Sequence, residues 1–163
     1  MKKYNILFIC THNSARSILA EAIASTHESG KFVGFSAGST PGDVVNPIAA
    51  ELAVHMGYPA EKLRSKTWDE YGGTNAPHMD FIITVCDNAA GEVCPFWPGK
   101  PASAHWGFPD PSLVQGTDAV KRHAFKDVVI GLKKRIDLLA DLPLHTLDHM
   151  TIQGHLVNIH TQS

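Results

Sequence analysis

The sequence predicts a doubly wound α/β domain, in which helices flank a mostly parallel, four-stranded sheet. Three observations support this prediction. The runs YNILFIC and FIITVC are almost continuously apolar, as expected for strands that are covered on both faces. Segments with helical periodicity alternate with these strand-like runs, which is typical of parallel sheets. The chain has 163 residues without a visible linker or repeat, so we expect residues 1–163 to form one domain.

The individual elements follow in order along the chain. The predicted strands are short, and they cover residues 4–10, 31–39, 81–86 and about 104–108. A first helix begins at Ser17, and a second, PIAAELAVHMG, has proline in its first turn and Gly57 at its end. A third helix spans about residues 119–140, where apolar residues recur at helical spacing. Residues from about 148 to 163 are less regular, and we expect a short strand or a C-terminal tail packed on the domain.

Composition and charge narrow the classes of partner. The chain has 14 basic and 16 acidic side chains, a formal charge of -2, which gives no global attraction to nucleic acid or to anionic membranes. No stretch approaches the roughly 18 apolar residues of a membrane-spanning helix. The apolar run at residues 6–10 is too short for a secretory signal. We therefore expect a cytoplasmic protein without nucleic-acid or membrane partners. The sequence does not indicate an oligomeric state, and a monomer is the default expectation for a small soluble enzyme.

The numbers and spacing of the cysteines and histidines bear on whether the chain has disulfides or a metal site. Three cysteines, an odd number, fit poorly with structural disulfides and better with reactive or buried thiols in a reducing compartment. Four histidines lie near the C-terminus, at positions 145, 149, 155 and 160. Their spacing is not typical of a metal site, so we expect exposed histidines there and no bound metal.

The clearest functional signal is CTHNSARS, which follows the first predicted strand. Cys10 is expected at the carboxyl edge of the sheet, where open α/β domains bind ligands. Backbone N–H groups of the loop and the start of a helix converge there, and both favour an anion and the thiolate form of Cys10. Arg16 supplies a planar fork for two oxygens of a tetrahedral oxyanion. The alternative is a small buried cysteine at a strand end, but the strand before it and the helix after it favour the anion site.

The expected substrate-binding residues occupy this loop and the first turn of the helix; they are Thr11, His12, Asn13, Ser14, Ala15, Arg16 and Ser17. Asn13 suits a backbone position with positive φ. Ser14 and Ser17 are able to donate hydrogen bonds to the thiolate or to the loop backbone.

CTHNSARS resembles the phosphate-binding loop of the low-molecular-weight protein tyrosine phosphatase fold, and FSAGS and HWGFPDPS follow in the family's order. More narrowly, the chain resembles the arsenate reductases built on that fold, and the similarity covers nearly all of it. The chain differs at Ala15, where some relatives have a second loop cysteine, and the resemblance assigns no role to the chain beyond about Leu147.

The resemblance implies arsenic detoxification and a role for each cysteine. Cys10 attacks arsenate, and an acid, matched here by Asp110 in GFPDPS, protonates the leaving oxygen. Cys86 then attacks the adduct, releases arsenite and forms a disulfide with Cys10. Cys94 attacks Cys86 and carries the disulfide outward to thioredoxin, or to a glutaredoxin–glutathione system. No cofactor is bound in this scheme; the reductant is an external dithiol.

Two alternatives remain open. A low-molecular-weight protein tyrosine phosphatase would hydrolyse phosphomonoesters through a phosphocysteine and would need no second thiol. Such phosphatases usually have a tyrosine after Asp-Pro, and this chain has Ser112. A non-catalytic module that binds arsenic or a metal through three thiols is the other alternative, although Arg16 is a poor neighbour for a cation.

Some reductases of this family also hold a potassium ion near the loop. The matching oxygen donors here are Asn13, Glu21, Ser36 and Asp69. Lys66 is expected next to that region, where its ammonium group could take the place of the ion. We therefore predict no obligatory metal.

Overall fold

The computed structural model describes residues 3–42, 44–73, 75–85 and 101–162. Its strands are β1 at Tyr4–Cys10, β2 at Phe32–Gly38, β3 at Phe81–Thr84 and β4 at Ala102–His105. They form one sheet in the order β2-β1-β3-β4, and each of the three described pairings is parallel. The predicted α/β class and four-stranded parallel sheet are confirmed.

Four α-helices lie within the described ranges: α1 at Arg16–Ser25, α2 at Pro47–His55, α3 at Asp118–Ala140 and α4 at His149–Gln162. α2 begins as its sequence predicts, because Pro47 occupies the first turn and the Asn46 side chain accepts a hydrogen bond from the N–H of Ile48 at 2.9 Å. Among the described helices, none has both the length and the apolar content needed to cross a bilayer.

β1 lies between β2 and β3, and this placement positions the loop that follows it. From Ile6 to Cys10 every residue of β1 is at most 3% exposed, because both faces of the strand are covered. The strand order changes direction at β1, and in such sheets ligands bind beyond the carboxyl end of the strands at this point. The loop after Cys10 therefore opens at the expected ligand edge.

α1 is buried along almost its whole length. All residues from Ser17 to Ala24 are buried, whereas a surface helix hides one face only. Gly34 of β2 permits this close packing, because a Cβ there would lie 2.5 Å from the carbonyl oxygen of Glu21. The start of α1, with Arg16, is therefore held firmly against the sheet.

β4 lies earlier than predicted, at Ala102–His105 rather than at residues 104–108. Trp106 and Phe108 are buried at alternate positions, as in a strand, but they are buried by helices and not by pairing in the sheet. The indole N–H of Trp106 donates to the carbonyl of Leu156 in α4 at 2.9 Å, and the Phe108 ring packs on α3. The chain leaves the sheet at Trp106 and begins the loop that carries Asp110.

Residues 149–162 form α4 and not the short strand that the sequence analysis left open, and the helix packs on the domain, as the alternative of a packed C-terminal tail predicts. Ile152, Leu156 and Ile159 recur at helical spacing and pack on the core. The helix contains no Asp, Glu, Lys or Arg, so it lacks the charged outer face by which a surface helix is usually recognised. Among the four C-terminal histidines, those at 145 and 149 are exposed as expected, whereas those at 155 and 160 are half-buried.

α4 covers the edge strand β4. The Gln153 side chain makes the two hydrogen bonds that a neighbouring strand would make to Ser103. Its Oε1 accepts from the N–H of Ser103 at 2.7 Å, and its Nε2 donates to the Ser103 carbonyl. Pairing the edge in this way removes a surface onto which another chain could add.

Leu156→Ala tests this docking of α4. Leu156 is fully buried, so we expect the free energy of unfolding to fall by about 2–5 kcal/mol in urea titrations. Val157→Ala is the matched control, because Val157 is 49% exposed and its loss should cost less than about 0.5 kcal/mol. Equal, small effects from the two variants would show that α4 does not pack as described.

Candidate active site

The loop between β1 and α1 directs its peptide groups to two sides. Three of its carbonyl oxygens accept hydrogen bonds from backbone N–H groups of residues 40–46, at 2.8–3.0 Å; they belong to Thr11, His12 and Ser14. In a trans peptide the N–H of the next residue points the opposite way. The N–H groups of His12, Asn13 and Ala15 therefore point away from that outer segment, and N–H groups arranged in this way can bind an anion.

Cys10 lies at the base of the loop, at the end of β1, and is 3% exposed. It pairs with Gly38 of β2. A Cβ at Gly38 would lie 2.6 Å from the Thr11 carbonyl oxygen, so only glycine lets β2 end against the loop. This explains the glycine of FSAGS. α1 begins at Arg16, at the other end of the loop, and the N-terminal end of a helix carries a partial positive charge.

Asn13 has the positive φ that the sequence predicts, at 50°, and it is fully buried. Its side-chain amide bonds in two directions. Nδ2 donates to the Ser17 hydroxyl at 2.8 Å, and Oδ1 accepts from the Lys66 backbone N–H at 3.0 Å. The Asn13 side chain therefore ties the loop to α1 and to the segment after α2.

A buried ammonium group lies behind the loop. Nζ of Lys66 is 3.4 Å from Oδ1 of Asn13, 3.2 Å from the Ser36 hydroxyl and 3.6 Å from the Glu21 carboxylate. The Ser36 hydroxyl and the Tyr58 hydroxyl both donate to that carboxylate. Burial lowers the pKa of Lys66, and the Glu21 charge opposes this shift. Burial and the bond to Glu21 raise the pKa of Tyr58, so the phenol remains a neutral donor.

This cluster bears on the potassium ion that the resemblance suggests. The ammonium of Lys66 stands among Asn13, Glu21 and Ser36, which were the matching oxygen donors. Asp69, the fourth, is exposed, and its backbone N–H donates to Thr67. A potassium ion does not fit among these oxygens while Lys66 is in place.

Arg16 and Asp110 meet at the outer side of the loop. Nη2 of Arg16 is 3.5 Å from Oδ2 of Asp110, and Nη1 donates to the carbonyl of Phe108 at 2.9 Å. The other Asp110 oxygen accepts from the Ser112 N–H at 2.9 Å and from its hydroxyl at 2.6 Å. One carboxylate oxygen is thereby fixed, and the other faces the guanidinium.

The structure thus brings together part of the predicted site. Cys10, Arg16 and the loop residues between them form one unit, and Asp110 approaches it from the segment after β4. Cys86 and Cys94 lie outside the described residues, so their positions relative to Cys10 stay predictions. Sequence reasoning missed the Phe108 carbonyl, which orients Arg16; its only signal was its place two residues before Asp110.

Lys66→Met tests the buried cluster. Removing the ammonium leaves the Glu21 carboxylate buried without its cation, so we expect the free energy of unfolding to fall by about 3–5 kcal/mol. Lys62→Met, at an exposed lysine of the same segment, should change it by less than about 0.5 kcal/mol. Combining Lys66→Met with Glu21→Gln removes both charges and should recover part of the lost free energy of unfolding. A double variant as unstable as Lys66→Met would mean that the unpaired Glu21 charge does not cause the destabilisation.

Comparisons with known proteins agree with this geometry. The profile of the low molecular weight phosphotyrosine protein phosphatase family matches residues 5–149. An arsenate reductase from Halalkalibacterium halodurans is 35% identical over 141 residues, which cover 86% of this chain and 98% of that protein. The crystal structure of an arsenate reductase from Archaeoglobus fulgidus aligns with a TM-score of 0.59 and 26% identity, over 81% of this chain and 98% of that one.

A thioredoxin-dependent arsenate reductase from Corynebacterium glutamicum also aligns, with a TM-score of 0.55 and 25% identity, over 84% of this chain and 63% of that one. The resemblance read from CTHNSARS is confirmed: the chain belongs to the low molecular weight phosphotyrosine protein phosphatase family, and arsenate reductases are among its relatives there.

Proposed function

We propose that the protein reduces arsenate to arsenite and is regenerated by an external dithiol protein, thioredoxin. One observation carries the proposal: the loop that follows Cys10 leads to Arg16, which pairs with Asp110, in a chain that matches 98% of the length of an arsenate reductase. The substrate comes from the names of those relatives, and the donor comes from the thioredoxin-dependent reductase of Corynebacterium glutamicum. The roles of the second and third thiols follow from the family resemblance.

In the first step the Cys10 thiolate attacks the arsenic of arsenate. The loop N–H groups and Arg16 hold the oxyanion, and Asp110 gives a proton to the oxygen that leaves as water. A sulfur–arsenic bond forms, an arsenic–oxygen bond breaks, and arsenic remains As(V).

In the second step the Cys86 thiolate attacks the sulfur of Cys10. A disulfide forms, the sulfur–arsenic bond breaks, and its electron pair stays on arsenic, which leaves as arsenite. Two thiols have then supplied the two electrons that take As(V) to As(III). Cys94 next attacks Cys86, which frees the Cys10 thiolate, and thioredoxin reduces the Cys86–Cys94 disulfide.

The phosphatase alternative shares only the first step. Phosphate has nearly the same shape and charge as arsenate, so the loop is expected to admit both, and Asp110 would protonate an alcohol or phenol leaving group. Water would then hydrolyse the phosphocysteine. This reaction uses neither Cys86 nor Cys94, and the two functions therefore differ in their need for these thiols.

Serine variants of the cysteines test the relay. With thioredoxin, thioredoxin reductase and NADPH, we expect arsenate-dependent NADPH oxidation in the wild type and none in Cys10→Ser, Cys86→Ser or Cys94→Ser. Without thioredoxin, pre-reduced Cys94→Ser should still release one arsenite per chain, because the Cys10–Cys86 disulfide can form. Cys86→Ser should release none.

The same variants separate the alternatives. Turnover lost without Cys86 but kept without Cys94 would leave Cys94 idle and favour a glutathione-type donor. A wild type that oxidises no NADPH with either donor, but hydrolyses an aryl phosphate at a rate independent of Cys86, would be a phosphatase. Tight arsenite binding without any turnover would indicate a binding module.

Asp110→Asn tests the proposed acid. The amide keeps the size of the side chain but cannot deliver the proton, so kcat/KM for arsenate should fall about 10²-fold or more. Asp141→Asn, at an exposed aspartate at the end of α3, is the control and should keep the wild-type value. An Asp110→Asn enzyme with normal kcat/KM would show that another group protonates the leaving oxygen.

A further inference from the structure

Arg135, on α3, is a buried cation that the proposed chemistry does not use. Only 9% of the residue is exposed, and no ion pair with a carboxylate of the described residues is found for it. Burial lowers its pKa. Charged side chains are rarely buried without a partner of opposite charge. The contacts of Arg135 should therefore explain why it lies there.

The guanidinium is held on three sides. Its central carbon lies 4.6 Å from the centre of the Phe108 ring, within the range of a cation–π contact. Nη1 donates to the carbonyl of Gly131 at 2.8 Å, one turn earlier in α3, and Nε donates to Nδ1 of His160 in α4 at 3.1 Å. Arg135 thus connects two helices to one aromatic ring.

The Phe108 ring also packs against Gly131 of α3. A Cβ at Gly131 would lie only 2.6 Å from Cε1 of Phe108, so the ring packs against bare helix backbone. Glycine is unfavourable inside a helix because it increases the entropy lost on folding. The close approach of Phe108 gives a physical reason for a glycine in the middle of α3.

The backbone of Phe108 links its packed ring to the active-site residues. Its N–H donates to the carbonyl of Val85 at the end of the β3 segment at 3.0 Å, and its carbonyl accepts from Arg16 at 2.9 Å. Asp110 follows two residues later and faces the same guanidinium at 3.5 Å. A shift of the Phe108 ring would therefore move both the Phe108 carbonyl, which orients Arg16, and the segment that leads to Asp110.

We propose that Gly131, Arg135 and His160 are positioning residues, which seat the Phe108 ring so that its carbonyl fixes Arg16 beside Asp110 for the incoming oxyanion. The role in arsenate reduction rests on the proposed function, whereas the role in anion binding does not. The family profile ends at residue 149, where α4 begins, so the contact from His160 comes from a part of the chain outside that match.

Gly131→Ala tests the proposal in the full-length chain, with Gly154→Ala as the matched control. Both change a glycine inside a helix to alanine, but a Cβ at Gly154 meets nothing within 4 Å. Arsenate KM and kcat are measured in the thioredoxin-coupled assay. The phosphate dissociation constant is measured separately, from protection of Cys10 against iodoacetamide in a Cys86→Ser, Cys94→Ser background, where Cys10 is the only thiol.

We expect Gly131→Ala to raise both the phosphate dissociation constant and the arsenate KM about tenfold or more and to lower kcat, because a small displacement of Arg16 and Asp110 is costly. Gly154→Ala should stay within about twofold of the wild type. Arg135→Met should act like Gly131→Ala. Arg135→Lys should recover part of the loss, since an ammonium can lie over the ring but cannot reproduce the planar fork.

A purely structural role predicts a different result. If Gly131→Ala and Arg135→Met lower the urea midpoint but, while folded, bind phosphate as tightly as Gly154→Ala does, the positioning proposal is wrong. If Gly131→Ala does not fold, the Arg135→Met and Arg135→Lys pair decides the question. A wild type that binds phosphate but reduces no arsenate would refute the proposed function and leave the phosphate constants to decide the positioning role.

Discussion

The site depends on one constraint: the chain must reverse direction between β1 and α1 while its peptide N–H groups point toward a common space. Asn13 makes this possible, because it tolerates a φ of 50° that a bulky or β-branched residue would resist. Its amide is then bonded on both sides, to Ser17 in α1 and to Lys66 behind the loop. The unusual backbone conformation is therefore fixed by neighbours that are themselves buried.

The cations around the loop contribute to this site in different ways. Lys66 is buried against Glu21, so its charge is largely compensated and its contribution is to hold the loop. Arg16 is about 12% exposed at its side chain and faces an Asp110 carboxylate that is itself partly solvated. The field that attracts an oxyanion must then come mainly from Arg16, the loop N–H groups and the start of α1.

The parts of the fold that sequence reasoning predicted are those set by local pattern. Continuous apolar runs predicted two of the strands, β1 and β3, and the conformational preference of Asn13 predicted its positive φ. The errors have a common physical cause, which is burial produced by elements remote in sequence. Trp106 has the pattern of a strand residue but is buried under α4, and α4 itself has no charged face to mark it. The close packing of Phe108 on Gly131 could not be predicted from the sequence either, because the reason for a glycine at this helix position depends on where the Phe108 ring lies.

In the proposed mechanism the described part of the site binds the anion and carries out no redox step by itself. An adduct between the Cys10 sulfur and a tetrahedral oxyanion changes no oxidation state, whether the central atom is arsenic or phosphorus. The loop and the Arg16–Asp110 pair therefore serve phosphatase and reductase chemistry equally well. What separates the two is the fate of the sulfur bond, which water can hydrolyse at phosphorus and a second thiol can break at the Cys10 sulfur. In the proposed mechanism this choice belongs to Cys86, so the redox function is an addition to an anion site that would stand complete without it.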